Sequence, residues 1–214
     1  MANEPTRILG LDPGLRRTGW GVISVAGSRL SWVAHGVVTP DDKAPFAERL
    51  FHLMTEVGDL CAAHACDEAA IEEVFVNANP GSTLKLGQAR GAVILGPAGR
   101  GLSVAEYAPN LIKKAVVGAG HADKAQIAFM VRRLLPAAGE VSADAADALA
   151  VAITHAQLRR MAQISSPREW GGGPRRGGVG GSGTAEHDSA APSVSPRIRS
   201  EPPSNRFATG RRIP

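Results

Sequence analysis

Three segments of strand character follow one another before any helical pattern begins, and this order constrains the fold more than any other feature. Arg7-Ile-Leu-Gly-Leu-Asp12 is a short apolar run closed by the turn formers Pro13-Gly14. Thr18 to Val25 and Leu30 to Val38 follow as β-rich segments joined through Gly27-Ser28, which together read as an antiparallel meander. The period then changes. Phe46, Leu50, Leu53, Val57 and Leu60 recur at helical spacing and predict an amphipathic helix to about His64. A fourth strand is expected over Ala69–Phe75 and a fifth over 102–105, with helices over 82–95, 110–116, 122–135 and 143–161. The pattern predicts an α/β domain built on a mixed five-stranded sheet flanked by helices, and no internal repeat is visible.

From Ser165 the composition turns to Gly, Pro, Ser and Arg without apolar periodicity. A segment of that kind buries too little surface to offset its ordering entropy, so 165–214 is expected to be a disordered tail and 1–164 the folded domain. The division also relocates the charge. The chain carries a formal net charge of +4, and the tail holds eight arginines against four acids while the first 164 residues hold sixteen of each sign. The basic character therefore belongs to the tail, and net charge says nothing about what the folded part binds. Only Cys61 and Cys66 are present, without zinc-type spacing, which excludes a disulfide scaffold and suits a reducing cytoplasm. Neither a signal peptide nor a membrane span is expected, since no apolar run approaches about 18 residues.

Four carboxylates stand where this order of elements would gather them. Asp12 ends the first strand, Glu72 lies near the end of the fourth, and Asp144 and Asp147 share one face of the last helix at i and i+3. Parallel pairing of the first and fourth strands would bring Asp12 and Glu72 together at the C-terminal edge of the sheet, where α/β folds place their sites. Each acid also has a plain structural reading: Asp12 as a turn residue, Asp144 as a partner of the helix dipole. Asp147 resists it, because the run Ala143-Asp-Ala-Ala-Asp-Ala-Leu-Ala150 is otherwise small and apolar, and an acid on a buried face needs a partner. Converging carboxylates without a basic partner repel unless protonated or bound to cations. Hard divalent ions match oxygen ligands and tolerate phosphate in their shell, so the set points to metal-dependent phosphodiester hydrolysis of the two-metal type.

Several stretches together resemble the RuvC family of Holliday junction resolvases: Ile8-Leu-Gly-Leu-Asp-Pro-Gly14 with Thr18-Gly-Trp-Gly21, Ala70-Ile-Glu-Glu-Val-Phe75, Leu84-Lys-Leu-Gly-Gln-Ala-Arg-Gly91, Val116-Val-Gly118 with Lys124, and Ala143-Asp-Ala-Ala-Asp-Ala-Leu-Ala150. The resemblance runs in order over about residues 7 to 160 and leaves out the tail. It implies a ribonuclease H-like fold, a homodimer, and cutting of two opposed strands of a four-way DNA junction with two Mg²⁺ ions per site, Mn²⁺ being the alternative. It further implies catalytic and metal-holding roles for Asp12, Glu72, Asp144 and Asp147, phosphate-contacting roles for Lys113 and Lys124, a base-stacking role for Phe75, and cooperation with a branch-migration complex of RuvA and RuvB type. Strand alternation would send Glu72 and Glu73 to opposite faces, leaving only Glu72 toward the metals.

Other basic residues near the motifs, Arg16, Arg17, Lys85, Arg90 and Lys114, read as solvated surface charge. Gly96-Pro97 departs from the family pattern and is expected to stop or kink its helix near Leu95, shortening the helix that the family's dimer contact uses. An actin-like ATPase would need a second copy of the fold, for which the length has no room. A non-enzymatic junction binder would be expected to have lost one or more of the four acids, and all are present. A ribonuclease H-like enzyme acting on RNA stays open, because no residue reads the sugar.

Overall fold

The computed structural model describes residues 4–74, 79–120 and 122–165, with side chains described to 159. Phe75 and residues 166–214, and with them the expected stacking side chain and disordered tail, lie outside the described residues. The elements follow in the order β1 (Thr6–Asp12), β2 (Thr18–Ala26), β3 (Arg29–Val38), α1 (Phe46–Ala63), β4 (Glu68–Glu72), α2 (Pro80–Ala98), β5 (Ser103–Tyr107), α3 (Pro109–Val117), α4 (Lys124–Leu134) and α5 (Ala143–Ser165), with a short 3-10 turn at Pro136–Ala138. Among them, no helix is long and apolar enough to cross a membrane.

The sheet has the order β3-β2-β1-β4-β5. β1 to β3 pair antiparallel, as the succession of strand signals requires, while β1–β4 and β4–β5 pair parallel. Side-chain alternation sorts the strands onto two cores. Ile8 and Ala70 face α5 with Ile112, Ile127, Leu149 and Ile153. Leu9, Leu11, Ala69 and Ile71 face the other way, against Leu53 and Val57 of α1 and Val93 of α2. Fully buried side chains such as Leu9, Leu11, Ile71 and Leu149 contribute roughly 1.5–3 kcal/mol each relative to exposure.

What places α5 is the lack of side chains beneath it. A Cβ on Gly10 would lie 2.1 Å from the Ala148 carbonyl oxygen, one on Gly19 2.0 Å from that of Asp144, and one on Gly21 2.5 Å from the Leu149 side chain. The helix answers with alanines at 145, 146, 148, 150 and 152, all buried, so its backbone rests almost directly on β1 and β2.

Two boundaries differ from those read in the sequence. β4 ends at Glu72 and does not run on to Phe75. α2 passes the expected stop at Leu95 and continues to Ala98 with Pro97 inside it. Pro97 falls in the last turn, where only one ladder donor is lost, and the Gly99 N–H still reaches the Leu95 carbonyl at 2.9 Å. Gly96 belongs to the crossing with α1: a Cβ there would stand 2.9 Å from the Met54 carbonyl oxygen and 3.0 Å from the Gly58 nitrogen. The dipeptide thus serves a close helix contact and does not shorten the helix to Leu95.

Candidate active site

Parallel pairing carries β1 and β4 side by side up to Leu11 opposite Ile71, so the next residues, Asp12 and Glu72, end adjacent strands on the α5 face. The turn after Asp12 is fixed by Thr18, which is fully buried. Its hydroxyl donates to the Gly14 carbonyl at 2.7 Å and accepts from the Gly14 N–H at 3.2 Å. Asp147 comes down on this edge from the first turns of α5, whose start is marked by the Ser142 hydroxyl accepting from the Ala145 N–H.

Asp12, Glu72 and Asp147 line one cavity of about 410 Å³ together with Glu73, Lys113 and Lys124. α3 brings Lys113 and ends at Gly118, whose φ of +87° gives the left-handed cap that glycine favours. α4 brings Lys124 as its first residue, behind a capping box. The Asp123 carboxylate accepts from the Gln126 N–H at 2.8 Å, and the Gln126 side chain accepts from the Asp123 N–H at 2.9 Å. Lys124 Nζ lies 3.2 Å from Asp147 Oδ2, with the lysine 82% exposed and the aspartate 17%.

Asp144 stands apart from that cavity lining. Its Oδ2 is 2.6 Å from Arg17 Nε, a pairing across 127 residues that no local signal in the sequence announces. Glu73 is the second surprise. Because β4 stops at Glu72, strand parity does not send Glu73 away. Its N–H donates to the Tyr107 carbonyl at 2.9 Å, and the residue borders the cavity beside Glu72.

The electrostatics are those of an acid set short of positive charge. Burial, reinforced by Glu72, Asp147 and Asp144, raises the Asp12 carboxyl from 3.8 to about 7 despite Lys124 nearby. Burial and Asp147 raise Glu72 from 4.5 to about 7, against the opposing pull of Lys124 and Lys113. The lysine responds in kind: its attraction to Asp147 holds the Lys124 ammonium above its ordinary value. As they stand, no three acidic, histidine or cysteine side chains among the described residues are gathered closely enough to hold a metal ion. Asp144 and Asp147 are each engaged by a cation of the protein instead. The donor chemistry nevertheless fits hard divalent ions, since the groups are carboxylate oxygens whose repulsion added positive charge would relieve.

The sequence profile described as crossover junction endodeoxyribonuclease RuvC matches residues 8–155. The protein of that name from Caulobacter vibrioides is 66% identical over 155 residues, covering 72% of this chain and 92% of the relative. The one from Azorhizobium caulinodans is 62% identical over 164 residues, covering 77% and 97%. Among solved structures, Thermus thermophilus RuvC superposes with a TM-score of 0.67 at 33% identity, covering 73% of this chain and 97% of that one. The same protein in complex with Holliday junction substrate gives 0.69 at 33% identity, covering 73% and 96%. The mixed sheet and its flanking helices are accordingly of the ribonuclease H-like kind. With the profile spanning both strands and helices that carry the acids, the chain belongs to the RuvC family of crossover junction endodeoxyribonucleases.

Proposed function

We propose that this protein resolves Holliday junctions, cutting two opposed strands of a four-way DNA junction at symmetric positions. The observation that carries the reading is the cavity in which Asp12, Glu72 and Asp147 face Lys113 and Lys124, in a chain 66% identical to a relative named for that activity. Metal dependence belongs to this nuclease family; that the ions are two Mg²⁺ per site, with Mn²⁺ able to substitute, is part of the proposal. Asp12, Glu72, Asp144 and Asp147 are the residues that would hold them. When bound, such ions polarise the phosphate and lower the pKa of the attacking water.

The chain's own groups do the rest. Lys113, half-buried, and Lys124, exposed at the cavity mouth, place positive charge where the scissile phosphate gains negative charge. The ion pair of Lys124 with Asp147 is exposed on the lysine side, so the ammonium is free to exchange its carboxylate partner for a phosphate oxygen. A water oxygen bonds to phosphorus, the bond from phosphorus to the 3′ oxygen breaks, and that oxygen takes up a proton. The products are a 5′-phosphate and a 3′-hydroxyl. Phe75 remains the candidate for stacking on an unpaired base near the cut.

A homodimer is part of the same reading, because a two-fold enzyme presents two sites to two strands of a roughly two-fold substrate. An apolar cavity of about 430 Å³ between α1 and α2, lined by Leu50, Phe51, Met54, Ala92 and Leu95, supports it; Phe51 is 65% and Leu95 58% exposed. Cooperation with a RuvA–RuvB type complex, a domain boundary near 164, a tail adding salt-sensitive DNA affinity, and a cytoplasmic location complete the proposal. The last is supported by two free cysteines whose thiols burial pushes up to about 11 and about 12, away from redox reactivity.

The test is Asp144→Asn on a synthetic junction with Mg²⁺. Binding that persists while cutting disappears is the expected result; undiminished cutting overturns the reading. A panel of junction, linear duplex, RNA and RNA/DNA hybrid separates the resolvase from a nuclease acting on RNA. Lys124→Ala is expected to slow cutting about 10- to 100-fold, and a wild-type rate would reduce that lysine to surface charge.

A further inference from the structure

A second cavity, of about 570 Å³, adjoins the carboxylate site and is basic. Arg16, Arg17, Arg49 and Lys85 line it with Gly14 and Ser82, and among the described residues no carboxylate does. The two cavities adjoin: Pro13 lines one and Gly14 the other, and Leu86 lines both. The acids therefore stand between two groups of cations, Lys113 and Lys124 on one side and this cluster on the other.

The four cations are not equally engaged. Arg49 donates from Nη2 to the Leu15 carbonyl at 3.0 Å, fixing the turn that follows Asp12, while its Nε is buried without a hydrogen-bond partner. A buried guanidinium donor left unpaired is costly. Arg17 reaches out of the cluster to Asp144. Arg16 and Lys85 are exposed and, among the described residues, their side chains enter no hydrogen bond or ion pair. Arg16, Arg49 and Lys85 line one space without a counter-ion among the described residues, and their mutual repulsion is relieved by an anion.

We propose that this cavity is a second phosphate-binding subsite, taking a backbone phosphate of the strand being cut that flanks the scissile one. The inference rests on the resolvase reading above and changes the role of Arg16, Arg17 and Lys85 from solvated surface charge to substrate contact. A strand gripped on both sides of the acids is held with its scissile phosphate over them, which is a positional gain.

The experiment compares wild type with the Arg16→Ala/Lys85→Ala double variant, both residues being exposed, for junction binding across a salt series without Mg²⁺. The expected result is about tenfold weaker binding at low salt and a log–log salt slope shallower by about 1 to 2, at roughly 0.9 for each phosphate no longer neutralised. The charge-conserving Arg16→Lys/Lys85→Arg variant should keep the wild-type slope. Arg29→Ala, at the far end of the β2–β3 hairpin, should leave the slope unchanged, and an unaltered melting temperature of the double variant shows that the fold is intact. Junctions with a neutral methylphosphonate at single positions beside the cut then locate the contact, since one position should weaken wild type and leave the double variant indifferent. Equal affinity and slope in the double variant, or no such position, overturns the subsite while leaving the resolvase reading in place. A wild type that does not cut the junction overturns both.

Discussion

Strand β4 carries a glutamate at each end on the same face, and the two live in opposite circumstances. Glu68 begins the strand, where α5 meets it with two partners. His155 Nε2 lies 2.8 Å from one carboxylate oxygen and Arg159 Nη2 2.6 Å from the other, and the far side of the imidazole is engaged by the Tyr107 hydroxyl at 2.7 Å. Glu72 ends the strand, where the same helix offers Asp147 in place of a cation, and its carboxyl is driven up to about 7. Among the described residues only its backbone is tied down, the Glu72 carbonyl accepting from Arg90 Nε at 3.2 Å. One helix thus neutralises an acid at one end of a strand and repels one at the other. The lesson is that a structural carboxylate is given its donors by the fold, whereas a ligand carboxylate is held in place by its backbone and kept short of partners.

The same chemical change at both ends should separate these roles. Glu72→Gln is expected to lower junction cutting roughly 10³-fold or more, with a melting temperature equal to or above wild type because a repulsive charge has gone. A variant that cuts normally breaks the comparison at its functional end. Glu68→Gln should do the reverse, costing about 1–3 kcal/mol of stability by leaving Arg159 half-buried without its counter-charge, while the folded fraction cuts at close to the wild-type rate; urea unfolding with single-turnover cutting measures both.

How much of this the sequence announces depends on range. The meander, the helical periods and the four acids are written in local patterns, and the parallel meeting of Asp12 with Glu72 follows from their order. Partners fixed only by tertiary packing are invisible: Arg17 with Asp144 across 127 residues, Glu68 with His155 across 87. The parity argument for Glu73 assumes a strand running three residues further than β4, which ends at Glu72. A stop or kink at Gly96-Pro97 is what local propensity predicts, because propensity does not see the α1 crossing that Gly96 permits.

Acidity supplies the next test. Asp12 and Glu72 titrate near 7 in the folded chain against ordinary values of 3.8 and 4.5, so the folded state holds protons that the unfolded state has already lost. Metal-free protein should therefore be most stable, as far as these groups contribute, below about pH 4. It should lose that contribution as pH rises through about 7. Denaturation in chelator at pH 5.5 and 8 measures it; Asp12→Asn should flatten the profile, and added Mg²⁺ should restore stability at pH 8. A profile unchanged by Asp12→Asn would show that the site is not short of charge. The smallest effect is expected of Tyr107→Phe, which removes one hydroxyl from the satisfied end and should cost about 1 kcal/mol with cutting unaffected.

The bare glycines under α5 bear on what a population of variants could contain. Gly19 pairs with Asp12 across β1 and β2 and touches the Asp144 carbonyl, so the first methyl group placed there would lift the helix that carries two of the four acids. A library randomised at 10, 19 and 21 and selected for junction cutting should return glycine at all three. The helix face above should tolerate little beyond alanine. The gap between sheet and helix is a gauge, and its setting is inherited through positions that take no part in the chemistry.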